Sequence, residues 1–332
     1  MTHPARYALA NDLRDRHPEL NAVVINDSAR STLACAQAAW RAAAADATHH
    51  LVLQDDVSLC DGFLDAVHDA IAMRPGDALA LFTEWGSRTA HLSRIAALRG
   101  AGWAEVADEY VPTVALVLPA DKARRFGSLA IDAATDNAVA DDVAMRAFLP
   151  AAYVRVPNLV EHLAVPSAAG NDEMGERRSV CYFPRAGGID SYAIDGLPVT
   201  PHFSWWEGRS VCCVRSGAGW RKIPAREFLA GRGVNATDVL AEAALRDSAD
   251  VSEILLRGLY LTAFSIGLIA APRDPSAPLD PVADRALGTL PAGALRRFVP
   301  RARLAEVADR LKPVIVSAVR HGARYGQSLT RG

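Results

Sequence analysis

No cysteine pair in this sequence has the spacing of a zinc site or a redox motif. Cys35, Cys60, Cys181, Cys212 and Cys213 form an odd set without CxxC. Reduced thiols in a cytoplasm are therefore the expectation. A glycine-rich phosphate loop is also missing, since neither GxGxxG nor GxxxxGK(S/T) occurs. A bound nucleotide would need side chains and a metal to manage its phosphates. There is no long uncharged apolar run. The most apolar window, 254–271, contains Arg257, and its charge-free part from Gly258 is too short to span a bilayer. A buried helix is expected there rather than a transmembrane one. The first residues carry no signal-peptide pattern, which fits the cytoplasmic expectation. A net charge of -2 gives no global field to recruit nucleic acid or membrane.

What is present suits a globular α/β protein. The chain has 332 residues, half of them apolar, enough for one large or two modest domains. Charge is unevenly spread. Residues 285–332 hold ten arginines and lysines against Glu306 and Asp309, so this end is near +8.

The most informative stretch is Thr48-His49-His50-Leu51-Val52-Leu53-Gln54-Asp55-Asp56-Val57. An apolar run ends in two adjacent carboxylates, and the helical spacing of Leu64, Val67, His68 and Ile71 follows. The pattern predicts a buried strand, an acidic loop at its carboxyl end, and a helix capped by Asp61. Ligands of open α/β sheets sit beyond the carboxyl ends of strands. A carboxylate pair there can hold a divalent cation against a phosphate. Solvated loops carry such pairs too, so the neighbours must decide.

Those neighbours alternate. Residues 22–27 read as a strand, 32–45 as an Ala-rich helix, 78–82 as a strand, 87–102 as a polar, Arg-bearing helix beside the site, and 110–119 as a strand ended by proline. A second acidic pair, Asp141-Asp142, opens a helix, where it either favours the helix N-terminus or does chemistry. A short strand at 153–157 leads to Asn158-Leu159-Val160-Glu161-His162. This alternation predicts a doubly wound, mostly parallel, Rossmann-like sheet.

The order of these motifs resembles a GT-A glycosyltransferase. Four pieces carry the resemblance: His3-Pro4-Ala5-Arg6, the segment from Trp40 to Asp56, Asp141-Asp142, and Val156 to His162 with Ser167 and Gly170 beyond. The last is similar to a segment of lipopolysaccharide-type glycosyltransferases. The likeness covers roughly residues 1–185, expected as a nucleotide-sugar-binding catalytic domain. Residues 186–332 are expected as a mainly helical acceptor-side or oligomerisation region.

The resemblance implies transfer of a sugar from a nucleotide-sugar donor, a UDP-sugar first, to a hydroxyl acceptor, assisted by Mn²⁺ or Mg²⁺. Gln54 stands at the first position of the DxD-like motif. The metal is therefore placed on Asp56, with His162 as a second ligand. The implied donor-side residues are His3, Pro4, Arg6, Asp27, Arg30, Gln54 and Asp55, with Asp55 toward ribose or sugar hydroxyls and Arg6 and Arg30 toward base or phosphate. A hydroxyl acceptor needs a carboxylate base in an inverting enzyme, and Asp142 or Asp141 is expected to supply it.

Beyond residue 186, Phe203-Ser204-Trp205-Trp206 and Trp220 offer either a stacking platform or core packing. Helix is expected over 238–270, and a basic helix over 304–324 bent or broken at Pro313. That basic end could cover the acceptor, pair with a second copy, touch an anionic surface, or simply be solvated. Two rivals to the transferase stay open. One is a glycosyltransferase-like binding module without catalysis, motivated by Gln54; the other is a nucleic-acid-modifying transferase, motivated by the basic end.

Overall fold

The structure, a computed structural model, describes residues 1–26, 31–130, 139–166, 171–217, 219–243, 245, 251–272 and 274–331. In chain order its main elements begin with α1 (Tyr7–Arg16), α2 (Thr32–Arg41), β1 (His49–Leu53), β2 (Val57–Leu59), α3 (Phe63–Met73) and β3 (Leu79–Ala80). Then come α4 (Arg88–Leu98), β4 (Trp103–Glu105), β5 (Ala115–Pro119), α5 (Ala120–Gly127), α6 (Asp141–Phe148), β6 (Tyr153–Arg155) and β7 (Val160–His162). The remainder is β8 (Ala193–Ile194), β9 (Val199–Ser204), β10 (Arg209–Ser216), β11 (Gly219–Pro224), α7 (Ala225–Ala230), α8 (Ala236–Glu242), α9 (Glu253–Ala270), α10 (Pro281–Gly288), α11 (Leu290–Leu295) and α12 (Arg301–Arg331).

The chain forms two compact units. Unit 1 comprises Met1–Thr83, Glu105–Glu173 and Tyr182–Ser191; unit 2 comprises Glu84–Ala104, Met174–Cys181 and Tyr192–Gly332. Residues 84–104 and 174–181 thus go with the C-terminal part of the chain.

In unit 1 the strand order is β1-β5-β3-β6. The alternation of strand and helix is present, but the sheet is mixed rather than mostly parallel. β5 runs antiparallel to both β1 and β3, and β3 is parallel to β6. Alternation along the chain does not fix direction, because Pro119 turns β5 straight into α5 and the strand is reached through a long irregular segment. Behind the sheet Leu33, Ala36 and Trp40 of α2 meet Val52, Leu116, Leu118 and Phe126, all buried. Each large side chain of this kind contributes about 1.5–3 kcal/mol by leaving water. His50 ties the layers together: its Nε2 lies 2.9 Å from Ala39 O, and burial keeps its pKa below the usual value although that bond opposes the shift.

Two local expectations are corrected here. Residues 22–26 form only a parallel bridge, Asn26 to Thr2, instead of a strand. The cap of α3 is Gly62 (φ +75°), not Asp61, which spends its backbone on Pro184 and Ala186. A left-handed φ is open to glycine at no steric cost.

Unit 2 carries an antiparallel meander, β9-β10-β11, on which α9 packs, and the crossing of α9 with α12. The helices approach backbone to backbone. A Cβ on Gly267 would lie 1.9 Å from Val319 O, and one on Gly322 1.9 Å from Phe264 O. By length and composition α9 could cross a membrane, but 72% of that window is buried inside the protein. α12 runs unbroken through Pro313. The expected helix over 238–270 is two helices, α8 and α9.

The helix expected to be polar and near the site, α4, belongs to unit 2 and is buried from Arg88 to Ala97. Its polar residues serve the interior. Arg94 donates to Ala286 O (2.9 Å), Trp85 O (2.8 Å) and Thr289 Oγ1 (3.1 Å). Burial, eased by the charge of Glu84, pulls its pKa down to about 9.

Candidate functional site

The acidic end of β1 lies in unit 1, and the N-terminal turn closes over it. His3 Nδ1 accepts from Ala5 N (3.2 Å) and Pro4 occupies the first position of a short 3₁₀ turn. His3 and Pro4 thus shape the turn that presents Arg6. Nearby, Thr2 N donates to Ile25 O (3.0 Å), and Gln54 N donates to Val114 O (2.9 Å), which holds the loop after β1 against the segment leading to β5.

Asp55 and Asp56 are both buried, at 6% and 4% exposure, so these are not solvated loop carboxylates. Thr2 Oγ1 donates to Asp55 Oδ2. Arg6 Nη1 bridges the pair, 3.3 Å from Asp55 Oδ1 and 2.6 Å from Asp56 Oδ2, and its Nη2 donates to Pro166 O. Burial lowers the Arg6 pKa, but the hydrogen bonds and charges of Asp56 and Asp55 outweigh it and leave it raised. This guanidinium is a permanent cation.

His162 arrives by strand register. β2 and β7 pair antiparallel with His162 opposite Val57, and Leu163 N donates to Asp56 O (2.8 Å). The residue after Asp56 is thus the partner of His162. Its Nε2 stands 3.4 Å from Asp56 Oδ2. The other oxygen, Asp56 Oδ1, is buried with no hydrogen-bond partner among the described residues. Leaving a buried acceptor unpaired costs about 1–3 kcal/mol, more for a charged group.

Two carboxylates share one guanidinium, and the Met1 ammonium, which donates to Leu53 O (2.9 Å), adds positive charge on the Asp55 side. What is left unmet is Asp56 Oδ1, an acceptor that a metal ion could meet. Among the described residues no group of three or more His, Cys, Asp or Glu side chains could hold a metal. An ion that arrives with phosphates asks less, since Mg²⁺-like cations use one or two carboxylates plus substrate oxygens. Asp56 Oδ1 with His162 fits that smaller demand.

The second acidic pair divides its labour. Asp142 Oδ1 accepts from Val143 N (2.8 Å) at the start of α6, the role of a helix-end carboxylate. Asp141 has a buried oxygen, Oδ2, without a partner among the described residues. Burial first, then the charge of Asp142, raises its pKa to about 6, against a hydrogen bond from Thr113. Thr113 precedes Val114, whose carbonyl receives Gln54 N, so Asp141 connects to the acidic loop through one short stretch of backbone.

The structure therefore brings together Arg6, Asp55, Asp56 and His162, with His3, Pro4 and Gln54 in the supporting turns. Asp27 and Arg30 lie outside the described residues, as do Ser167 and Gly170. Arg6, expected on base or phosphate, sits on the carboxylates instead. Thr2, Thr113 and the carbonyl of Pro166 went unmarked in the sequence, because ordinary residues and backbone atoms carry no pattern that announces a contact.

In unit 2, Phe203 is core, Trp205 lies under Arg296 (3.9 Å), and Trp206, 54% exposed, lies under Arg297 (3.8 Å). Both tryptophan faces are already engaged by the chain's own cations. Compared with known proteins, the chain matches no protein-family model, no curated protein and no solved structure.

Proposed function

We propose that unit 1 is a GT-A-type glycosyltransferase that moves a sugar from a nucleotide-sugar donor to a hydroxyl acceptor with a divalent cation. The observation that carries the reading is Asp56: a buried carboxylate at the carboxyl end of a strand, one oxygen held by Arg6 and the other unpartnered, with His162 beside it. Mn²⁺ or Mg²⁺ held by Asp56 and His162 would supply positive charge to the diphosphate leaving group. Arg6 holds the two carboxylates apart in fixed directions and keeps Asp56 Oδ2 occupied, which leaves Oδ1 as the open donor. Thr2 orients Asp55, whose remaining acceptor capacity suits a donor hydroxyl. Asp141, rather than Asp142, is the base in this reading. With a pKa of about 6 it is mostly ionised at neutral pH yet basic enough to take a hydroxyl proton.

The test is release of free sugar from a UDP-sugar without added acceptor. Turnover should need Mn²⁺ or Mg²⁺, vanish in Asp56→Ala, and show an acidic limb near pH 6 that Asp141→Asn removes together with activity. Metal-independent turnover that survives Asp56→Ala would refute the reading.

A second reading has its own observation. Arg6 already contacts both carboxylates, as an internal cation would in a binding module that has lost catalysis. Such a module would bind nucleotide or partner with no response to metal.

A further inference from the structure

Unit 2 has two adjoining clefts along α12. The larger, about 500 Å³, is lined by Lys312, Pro313, Val316, Ser317, Arg320 and Arg324. The smaller, about 320 Å³, is lined by Glu242, His321, Arg324, Tyr325 and Ser328. Arg324 belongs to both, so it stands where they meet. Both are open to solvent rather than enclosed, and their volumes are of the order of small-molecule sites.

Their linings differ in chemistry. From residue 310 to 332 the sequence holds five arginines and lysines and no aspartate or glutamate. Lys312 is engaged by Asp284 (2.6 Å). Arg320 lends only Nη2 to Ala277 O, at 3.3 Å, and its Nε is buried with no partner among the described residues. Arg324 is exposed. Arg320 and Arg324 are four apart on the helix, so their side chains are neighbours on one face, about 6 Å between Cβ atoms. Two guanidinium forks at that spacing fit the oxygens of one phosphate.

The smaller cleft is organised around a carboxylate. Glu242 Oε2 lies 3.0 Å from His321 Nε2, Glu242 Oε1 accepts from Tyr325 OH at 3.4 Å, and His321 Nδ1 is 2.9 Å from Tyr260 OH. Tyr260 donating to Nδ1 and Nε2–H donating to Glu242 fixes one neutral tautomer. Burial lowers the His321 pKa in spite of Glu242, in keeping with that form. Glu242 remains more than half exposed and can accept further hydrogen bonds, while the hydroxyls of Tyr325 and Ser328 can donate or accept. A carboxylate repels a second anion, so this end suits hydroxyl groups and the arginine end suits the phosphate.

We infer that these clefts form a binding site for a phosphate-bearing polar small molecule, of which a sugar phosphate is the model. Its phosphate lies on Arg320 and Arg324 and its hydroxyls lie on Glu242, Tyr325 and Ser328. The site is contained in unit 2 and stands whether or not unit 1 transfers sugars.

Calorimetry on the full chain, with chelator present to silence divalent metals, tests this with a hexose 1-phosphate and with inorganic phosphate as probes. The hexose phosphate is expected to bind, and Arg324→Ala, at an exposed position, to weaken it by about tenfold or more. Arg320→Ala should act in the same direction. Glu242→Gln should weaken the hexose phosphate and spare inorganic phosphate. Asp56→Ala should leave both unchanged, which separates this site from the one in unit 1. Inorganic phosphate binding as tightly as the hexose phosphate, still lost in Arg324→Ala, would identify free phosphate as the source. Absence of binding by either probe at millimolar concentration, or binding undiminished in both arginine variants, would overturn the inference. Co-sedimentation with anionic vesicles in place of small-molecule binding would also overturn it.

Discussion

The acidic site of unit 1 and the buried guanidinium groups of unit 2 meet the cost of buried charge differently, although unit 1 also buries one guanidinium, Arg155, on Pro157 O (2.7 Å) and Gly187 O (2.9 Å). In unit 2, Arg94 is held by carbonyl oxygens and a hydroxyl, and Arg296 by Glu84 and the face of Trp205, with Arg94 Nη1 and Arg296 Nε left without a hydrogen-bond partner among the described residues. His91 there donates from Nδ1 to Ser87 O (2.7 Å) and accepts from Phe203 N at Nε2 (3.4 Å), a fully spent neutral ring. These groups staple loops and helix ends. In unit 1, Asp55 and Asp56 share one arginine and leave an oxygen open. A buried charge whose bonds are spent on backbone is architecture; a carboxylate left with an open oxygen is where a ligand has something to add. Burying a charge costs several kcal/mol unless it is compensated.

The comparison can be broken most forcefully in unit 2. Gly322→Ala pushes a methyl into the carbonyl of Phe264 and should cost about 3 kcal/mol or more of stability, read as a lowered urea midpoint. The response of unit 1 to Mn²⁺ should survive; its loss would mean that the two units do not act independently.

Removing the Arg6 guanidinium from the acidic cluster comes next. Arg6→Met should cost about 2 kcal/mol, less than a fully buried pair because Arg6 is partly exposed. Mn²⁺ should raise the Tm of this variant more than that of the wild type, since metal then takes over the neutralising role. An equal or smaller shift would show that Arg6 and metal do not compete for the same charge.

The two units should also respond to pH with opposite sign. Asp141, held at about 6, binds a proton in the folded chain that the unfolded chain has released, so its contribution falls as pH rises from about 4 to 6 and is flat above. Asp141→Asn should remove that fall and leave the protein about 2 kcal/mol more stable near pH 8. His202, held down to about 3 by burial and then by Arg88, Lys222, Arg296 and Arg94, does the reverse. The unfolded chain binds the extra proton, so stability is gained as pH rises toward about 6.5 and is complete above it. His202→Gln should flatten that limb. Urea midpoints across the pH range check both, and limbs of the same sign would contradict the assignment. The smallest effect on stability belongs to Asp142→Ala, about 0.5 kcal/mol from the start of α6, with turnover retained and its acidic limb moved to lower pH because the charge that helps raise Asp141 is gone.

Much of unit 1 was legible because its signals are local. The run His50 to Leu53 announced β1; α2 and α3 followed their composition and apolar spacing, and the Asp141-Asp142 pair does open α6. Strand direction was not legible, because β5 finds both its neighbours through pairings far apart in sequence. α4 misled for a related reason. Its arginines and histidine look like a solvated face until Ala286, Thr289 and Phe203 are seen to receive or supply the bonds of Arg94 and His91. In the site, the acid pair and His162 were readable as residue types. The placement of Arg6 upon them, and the choice of Asp141 over Asp142, depend on burial that no spacing encodes.

In the proposed function, the open oxygen of Asp56 is met by a metal that comes with a diphosphate. Calorimetric titration of uridine diphosphate into wild type and Asp56→Ala, each with and without Mn²⁺, tests it directly. The account predicts binding that requires Mn²⁺ and disappears in Asp56→Ala. Nucleotide binding indifferent to Mn²⁺, or equal in the two proteins, would contradict it.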